Sequence, residues 1–161
     1  MENYEDELND VYRSTSVIGY STSFSVIIYG GIAYYLLSRS ADGQPVFDHA
    51  EVIRQVFWVV GISILISIGL MRRIVSRNSR KREFTLQEML KHLQTSSMIT
   101  FGMCESIGIL GLVLTLMTKN INDYYGFGFL SLISFGFYFP KLHHWDQQLK
   151  QAVYSFDGID K

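Results

Sequence analysis

Residues 102–114 read GMCESIGILGLVL, and the acid among them is the group best suited to do chemistry. Glu105 is the only charged side chain in the 20 residues from Met98 to Met117. An ionised carboxylate at the centre of a bilayer costs about 3 kcal/mol on insertion scales. Such a residue is neutralised by a proton, paired with a cation, or used to bind and release an ion. No Lys, Arg or His lies at matching depth in the other apolar stretches. Hydroxyls do, among them Ser21, Ser23, Ser25, Ser63, Ser67, Ser131 and Ser134. The expected resting state is a protonated Glu105 hydrogen-bonded to a hydroxyl or a backbone carbonyl. Its neighbour Cys104, the single cysteine, is expected to pack and not to act as a nucleophile, since burial disfavours the thiolate.

What positions these residues is a set of four apolar runs, at 16–37, 52–71, 98–117 and 124–139. About 20 helical residues cross a hydrocarbon core of about 30 Å. The first three runs have that length. The fourth, YYGFGFLSLISFGFYF, has 16 residues and would stand upright, with its aromatic ends at the interfaces. A soluble bundle would show polar stripes at helical period, and these runs show none. The expected fold is an all-α integral membrane protein with four transmembrane helices forming two hairpins. Residues 1–15 are read as an acidic cytoplasmic N-terminus, 16–140 as the membrane domain and 141–161 as a cytoplasmic tail. The acidic leader MENYEDELND and the length of the first run argue against a cleaved signal peptide.

Lys and Arg are distributed unevenly. Eleven of the 14 fall in the N-terminus, the second loop and the tail: Arg13; Arg72, Arg73, Arg77, Arg80, Lys81, Arg82 and Lys91; Lys141, Lys150 and Lys161. Arg39, Arg54 and Lys119 are on the other side. The positive-inside rule then puts both termini in the cytoplasm, with the cytoplasmic (inner) membrane as the expected location. The basic loop is expected to set topology and touch anionic headgroups, with a partner protein as the alternative ligand. After it, Thr85 and Glu88 have the spacing of a capping box, with Phe84 and Met89 as its hydrophobic staple. The third helix is therefore expected to begin near Thr85 as an amphipathic cytoplasmic extension. Lys141, His143, His144 and Trp145 suit a helix end anchored at the interface.

Across the bilayer, Glu105 falls about 4 Å from the midplane, towards the cytoplasm. Thr100, Cys104, Gly108, Gly111 and Thr115 share one arc of the third helix and offer a small-residue face for helix packing. Glu105 lies at the margin of that arc. The stretch ESIGILGLVL, from Glu105 to Leu114, resembles the carboxylate-bearing helix of the proteolipid (c) subunits of rotary F-type and V-type ATPases. In that resemblance Glu105 falls on the ion-binding carboxylate, and Ile109, Gly111, Leu112 and Val113 on the pattern that follows. Leu110 stands where the family has an aromatic. The second and third runs, joined by a basic loop, match the family's hairpin loosely. The resemblance implies a site that binds and releases H⁺ or Na⁺, in company with other membrane subunits.

Several classes are excluded or disfavoured by the residues themselves. The formal net charge of −1 gives no reason to expect nucleic acid as a partner. All four histidines (His49, His92, His143, His144) lie outside the apolar runs, so axial haem ligands are missing, and the neighbouring His143 and His144 alone make a poor chelate. No glycine-rich phosphate loop, nucleophile elbow or carboxylate pair occurs. No cofactor, no metal site and no catalytic activity of its own are therefore expected. The leading expectation is a small accessory or scaffold membrane subunit that meets the lipid bilayer and either other membrane subunits or copies of itself. The alternative is a proton- or sodium-binding subunit of an ion-translocating complex that uses Glu105.

Overall fold

The computed structural model describes residues 2–39, 49–79 and 85–157, and these are all-helical, with no strand among them. The elements are α1 (Glu2–Arg39), α2 (Ala50–Ser79), α3 (Leu86–Thr118), α4 (Ile121–Tyr138) and α5 (Leu142–Asp157). Arg80, Lys81, Arg82 and Lys161 of the basic count, and Phe84 of the expected staple, lie outside the described residues. Among the described residues, three helical segments are long and apolar enough to cross a membrane: Glu5–Arg39, Ala50–Ile74 and Gln87–Thr118. Helix α4 has 18 residues, and its first turns carry Asn122, Asp123, Tyr124 and Tyr125, which dilute its apolar character.

The helix ends follow from local chemistry. Thr85, extended at φ −63° and ψ 157°, caps α3. The Glu88 backbone N–H donates to Thr85 Oγ1 over 3.4 Å, and the Thr85 backbone N–H donates to Glu88 Oε2 over 2.9 Å. The capping box thus closes in both directions. At the other end Lys119 takes the left-handed conformation, φ 56° and ψ 26°. Asn120 then caps α4 by accepting the Asn122 N–H over 3.0 Å. Two residues therefore suffice to reverse the chain between α3 and α4. Helix α4 ends where Pro140 pushes Phe139 to extended backbone, ψ 132°.

The sequence reading assigned no helix to residues 1–15 or 141–161, yet α1 begins at Glu2 and α5 runs from Leu142 to Asp157. At 1.5 Å per residue α1 is about 57 Å long, nearly twice a hydrocarbon core. Its first turns hold Leu8, with Val11 and Tyr12, against Met89, Leu90 and Leu93 of α3 and Trp145 and Leu149 of α5. Tyr12 meets the Trp145 ring edge-on at 5.7 Å and donates its hydroxyl to the Pro140 carbonyl over 3.2 Å. The start of the chain and the helix after Pro140 thus share a small core with the amphipathic start of α3.

Helix α3 is the centre of the bundle and touches each of the other four helices, while α4 also touches α1 and α2. Below the terminal core, Val26, Ile68, Phe101, Cys104 and Phe135 pack together, one or two from each of α1 to α4. Further along, Ile107 and Leu114 of α3 close on Phe127 of α4, flanked by Ile53, Phe57 and Trp58 of α2. Phe127 sits so close that a Cβ on Gly111 would lie 2.5 Å from the Phe127 Cβ. A Cβ on Gly108 would lie 3.1 Å from Val26. Between lipid-facing helices such proximity is the main source of association, because hydrocarbon gives no hydrophobic drive.

Gly111→Ala should therefore lower the thermal midpoint in mild detergent, by an amount equivalent to about 1–3 kcal/mol of overpacking. Gly102→Ala, where a Cβ meets nothing within 4 Å, should leave the midpoint unchanged or raise it slightly. Equal effects at the two positions would contradict the packing described.

Candidate functional site

Glu105 leaves α3 on the side of α1 and is half-buried. Two hydroxyls of α1 converge on one of its oxygens. Ser25 Oγ lies 2.6 Å from Glu105 Oε1, and Tyr29 donates its hydroxyl to the same oxygen over 2.8 Å. Ser25 and Tyr29 are four apart on α1, one turn above the other, and so reach the same point. Ser25 Oγ also lies 2.7 Å from the Thr22 carbonyl. The result is a row of oxygens: Tyr29 hydroxyl, Glu105 carboxyl, Ser25 hydroxyl, Thr22 carbonyl. Among the described residues no ion pair includes Glu105.

Protons can be counted along that row. Ser25 has one hydroxyl proton and two oxygens within hydrogen-bond distance, Thr22 O and Glu105 Oε1. The Thr22 carbonyl can only accept. When Ser25 donates to it, the 2.6 Å contact with Glu105 needs a second proton, carried by the acid. A neutral Glu105 that donates to Ser25 and accepts from Tyr29 gives every contact one proton. An ionised Glu105 leaves Ser25 one proton for two acceptors, the arrangement that Thr118 has between the Leu114 carbonyl and Asp123 Oδ2.

The small-residue face of α3 lies beside this site. Thr100, Cys104, Gly108, Gly111 and Thr115 are all buried. Ser131 of α4 donates to the Cys104 carbonyl over 2.7 Å, so the cysteine's backbone, not its thiol, makes the polar contact described there. Thr100 returns its hydroxyl to the Ser96 carbonyl over 2.8 Å. Thr115 Oγ1 is buried without a hydrogen-bond partner. Of the serines considered at matching depth, Ser25 reaches Glu105. Ser23, Ser63, Ser67 and Ser134 turn back to carbonyls of their own helices. Tyr29 was missed because serines alone were considered; its place four residues after Ser25 was the available signal. His143 and His144 stack at 6.4 Å, with His143 Nε2 3.0 Å from Gln147 Nε2.

A second polar cluster holds the opposite end. Arg54 of α2 grips Asp123 of α4 through both nitrogens, Nε to Oδ1 at 2.8 Å and Nη2 to Oδ2 at 3.3 Å. Thr118, at the end of α3, donates to Asp123 Oδ2 over 2.6 Å. Arg54 also reaches Glu51 Oε1 at 2.7 Å. The Asp123 side chain is 7% exposed, against 26% for Arg54 and 79% for Glu51. The sequence places Arg54 on the non-cytoplasmic side and carries no local signal that pairs it with Asp123, 69 residues further on. With Thr118, this pair joins three helices at one point.

No family model, no characterised protein and no solved structure matches the chain.

Removing Arg54 would strand a buried carboxylate. Arg54→Leu should lower stability by about 3 kcal/mol, the lower end for a broken buried pair because Arg54 keeps some water contact. Glu51→Gln, at an exposed rim, should cost less than about 1 kcal/mol. Thermal unfolding of both variants in the same detergent checks the order, and a larger loss for Glu51→Gln would refute it.

Proposed function

We propose that this chain is a small membrane scaffold or accessory subunit of four spans, in which Glu105 acts as a neutral hydrogen-bonding acid between helices. The observation that carries this is the row from Tyr29 through Glu105 and Ser25 to the Thr22 carbonyl, which one added proton satisfies throughout. A second support is surface. Only 17% of the apolar window of α1 and 11% of that of α2 is buried inside the chain, against 44% for α3. Two helices so uncovered suit lipid and further membrane subunits, with α3 as the internal core. Helix α4, 18 residues long and packed along α3, is then the fourth, shorter span. The excess of Lys and Arg in the basic loop and after Pro140 favours cytoplasmic termini, and an inner-membrane location fits that arrangement.

The second reading is a subunit that binds H⁺ or Na⁺ at Glu105, in line with the proteolipid resemblance of Glu105–Leu114. What favours it is the presence of oxygens on the carboxyl from a neighbouring helix, Ser25 Oγ and Tyr29 Oη. It requires a cation or a counter-charge from a partner, since among the described residues Glu105 has no ion pair. The scaffold reading needs neither.

Glu105→Gln separates the two. Both bonds meet at Oε1, where an amide oxygen can accept from Tyr29 and from Ser25 at the cost of the Ser25 bond to the Thr22 carbonyl, so the scaffold reading expects co-purifying subunits unchanged and stability within about 1 kcal/mol of wild type. Glu105→Ala should lose the interhelical bonds, at about 0.6–2 kcal/mol. A carbodiimide adduct at Glu105 that Na⁺ suppresses, together with loss of activity of the native complex in Glu105→Gln, would instead establish the ion-binding reading.

A further inference from the structure

The bundle has a cavity of about 340 Å³ where α4 ends and α5 begins, beside the early turns of α3 and Arg72, two turns before the end of α2. Its lining is charged with one sign only. Arg72, Lys141 and His144 contribute two fixed cations and an imidazole, and among the described residues no carboxylate lines it. Ser97 and Gln148 add neutral hydrogen-bonding groups, while Phe137 forms an apolar lip. The Phe137 side chain is 80% exposed.

Arg72 is held in place without being neutralised. Its Nη2 donates to the Tyr138 carbonyl over 3.1 Å, and its guanidinium lies 5.2 Å from the centre of the Tyr138 ring. Among the described residues neither Arg72, Lys141 nor His144 belongs to an ion pair. A half-buried guanidinium with no anion is costly, and a ligand that brings the anion repays that cost. The guanidinium keeps donors beyond the one used on Tyr138, and its planar fork suits phosphate oxygens.

Position narrows the source of the phosphate. Arg72 directly follows the apolar run of α2, and Lys141 follows the last residues of α4 by three positions. Cations and aromatic residues in such places sit at headgroup level. The volume is near the lower end of ligand pockets, about 300–1,000 Å³, which suits a headgroup and not a whole lipid. Acyl chains would leave over Phe137 into the bilayer. We infer that the cavity formed by Arg72, Lys141 and His144 binds the phosphate headgroup of an anionic glycerophospholipid, with Phe137 guiding its chains outward.

The test titrates phosphatidylglycerol into the full chain in a neutral detergent and counts bound lipid by native mass spectrometry. Phosphatidylcholine serves as the zwitterionic comparison and inorganic phosphate as the soluble one. Wild type should hold one phosphatidylglycerol in preference to phosphatidylcholine. Arg72→Gln combined with Lys141→Gln should weaken that lipid by at least about tenfold. Gln148→Glu, at an exposed position that leaves the core alone, should do the same by placing a carboxylate in the cavity. Arg13→Gln, outside the cavity, should leave binding unchanged. Equal retention of the two lipids would overturn the assignment, as would undiminished phosphatidylglycerol binding in Gln148→Glu. Inorganic phosphate that displaces the lipid fully at millimolar concentration would overturn the lipid as the source and leave free phosphate as the ligand.

Discussion

Helix α3 can occupy the middle of this bundle because one of its faces barely projects. Thr100, Cys104, Gly108, Gly111 and Thr115 bring α1 and α4 close enough for Val26 and Phe127 to rest near its backbone. Inside hydrocarbon, apolar side chains gain little by choosing each other over lipid, so close packing and hydrogen bonds must supply the association. Interhelical hydrogen bonds form alongside that approach. The Ser131 bond to the Cys104 carbonyl, the Tyr124 bond to the Val26 carbonyl and the reach of Ser25 to Glu105 all span the gaps it creates.

Polar anchors at three levels then fix which face meets which. Arg54, Asp123 and Thr118 hold one end, Glu105 with Ser25 and Tyr29 the middle, and Arg72 with the Tyr138 carbonyl the other end. Apolar packing alone tolerates rotation and sliding of helices, whereas a bidentate Arg–Asp pair does not. The anchors also differ in kind. The outer two use an arginine, and the central one joins two hydroxyls of α1 to a carboxyl of α3.

Much of this was legible in the residues. Long apolar runs mark three long helices, and Thr85 with Glu88 marks the start of α3. Depth is readable because it depends on counting along the chain. Azimuth is not, because it depends on which helix packs where. That is why Ser25 stood undistinguished among seven serines, and why Tyr29 and the Arg54–Asp123 pair did not emerge. The helices beyond the apolar runs were missed for a related reason. Leu8 and Tyr12, and Trp145 and Leu149, each stand four apart on a helical face, a weak signal until the other pair is known to be nearby.

The small core around Tyr12, Leu90 and Trp145 has a further meaning in time. Its hydrogen bond from Tyr12 to Pro140 joins positions 128 residues apart. At about 5–20 residues per second, a ribosome needs roughly ten seconds to make the second partner after the first. During that interval the first turns of α1 have no α5 to cover them, while the apolar helices are already being made. The first turns of α1 thus stay uncovered until α5 has been made. Closure of this small core follows synthesis of the bundle that it caps, and chain termination before α5 would leave Leu8 and Tyr12 open for quality-control proteases to recognise.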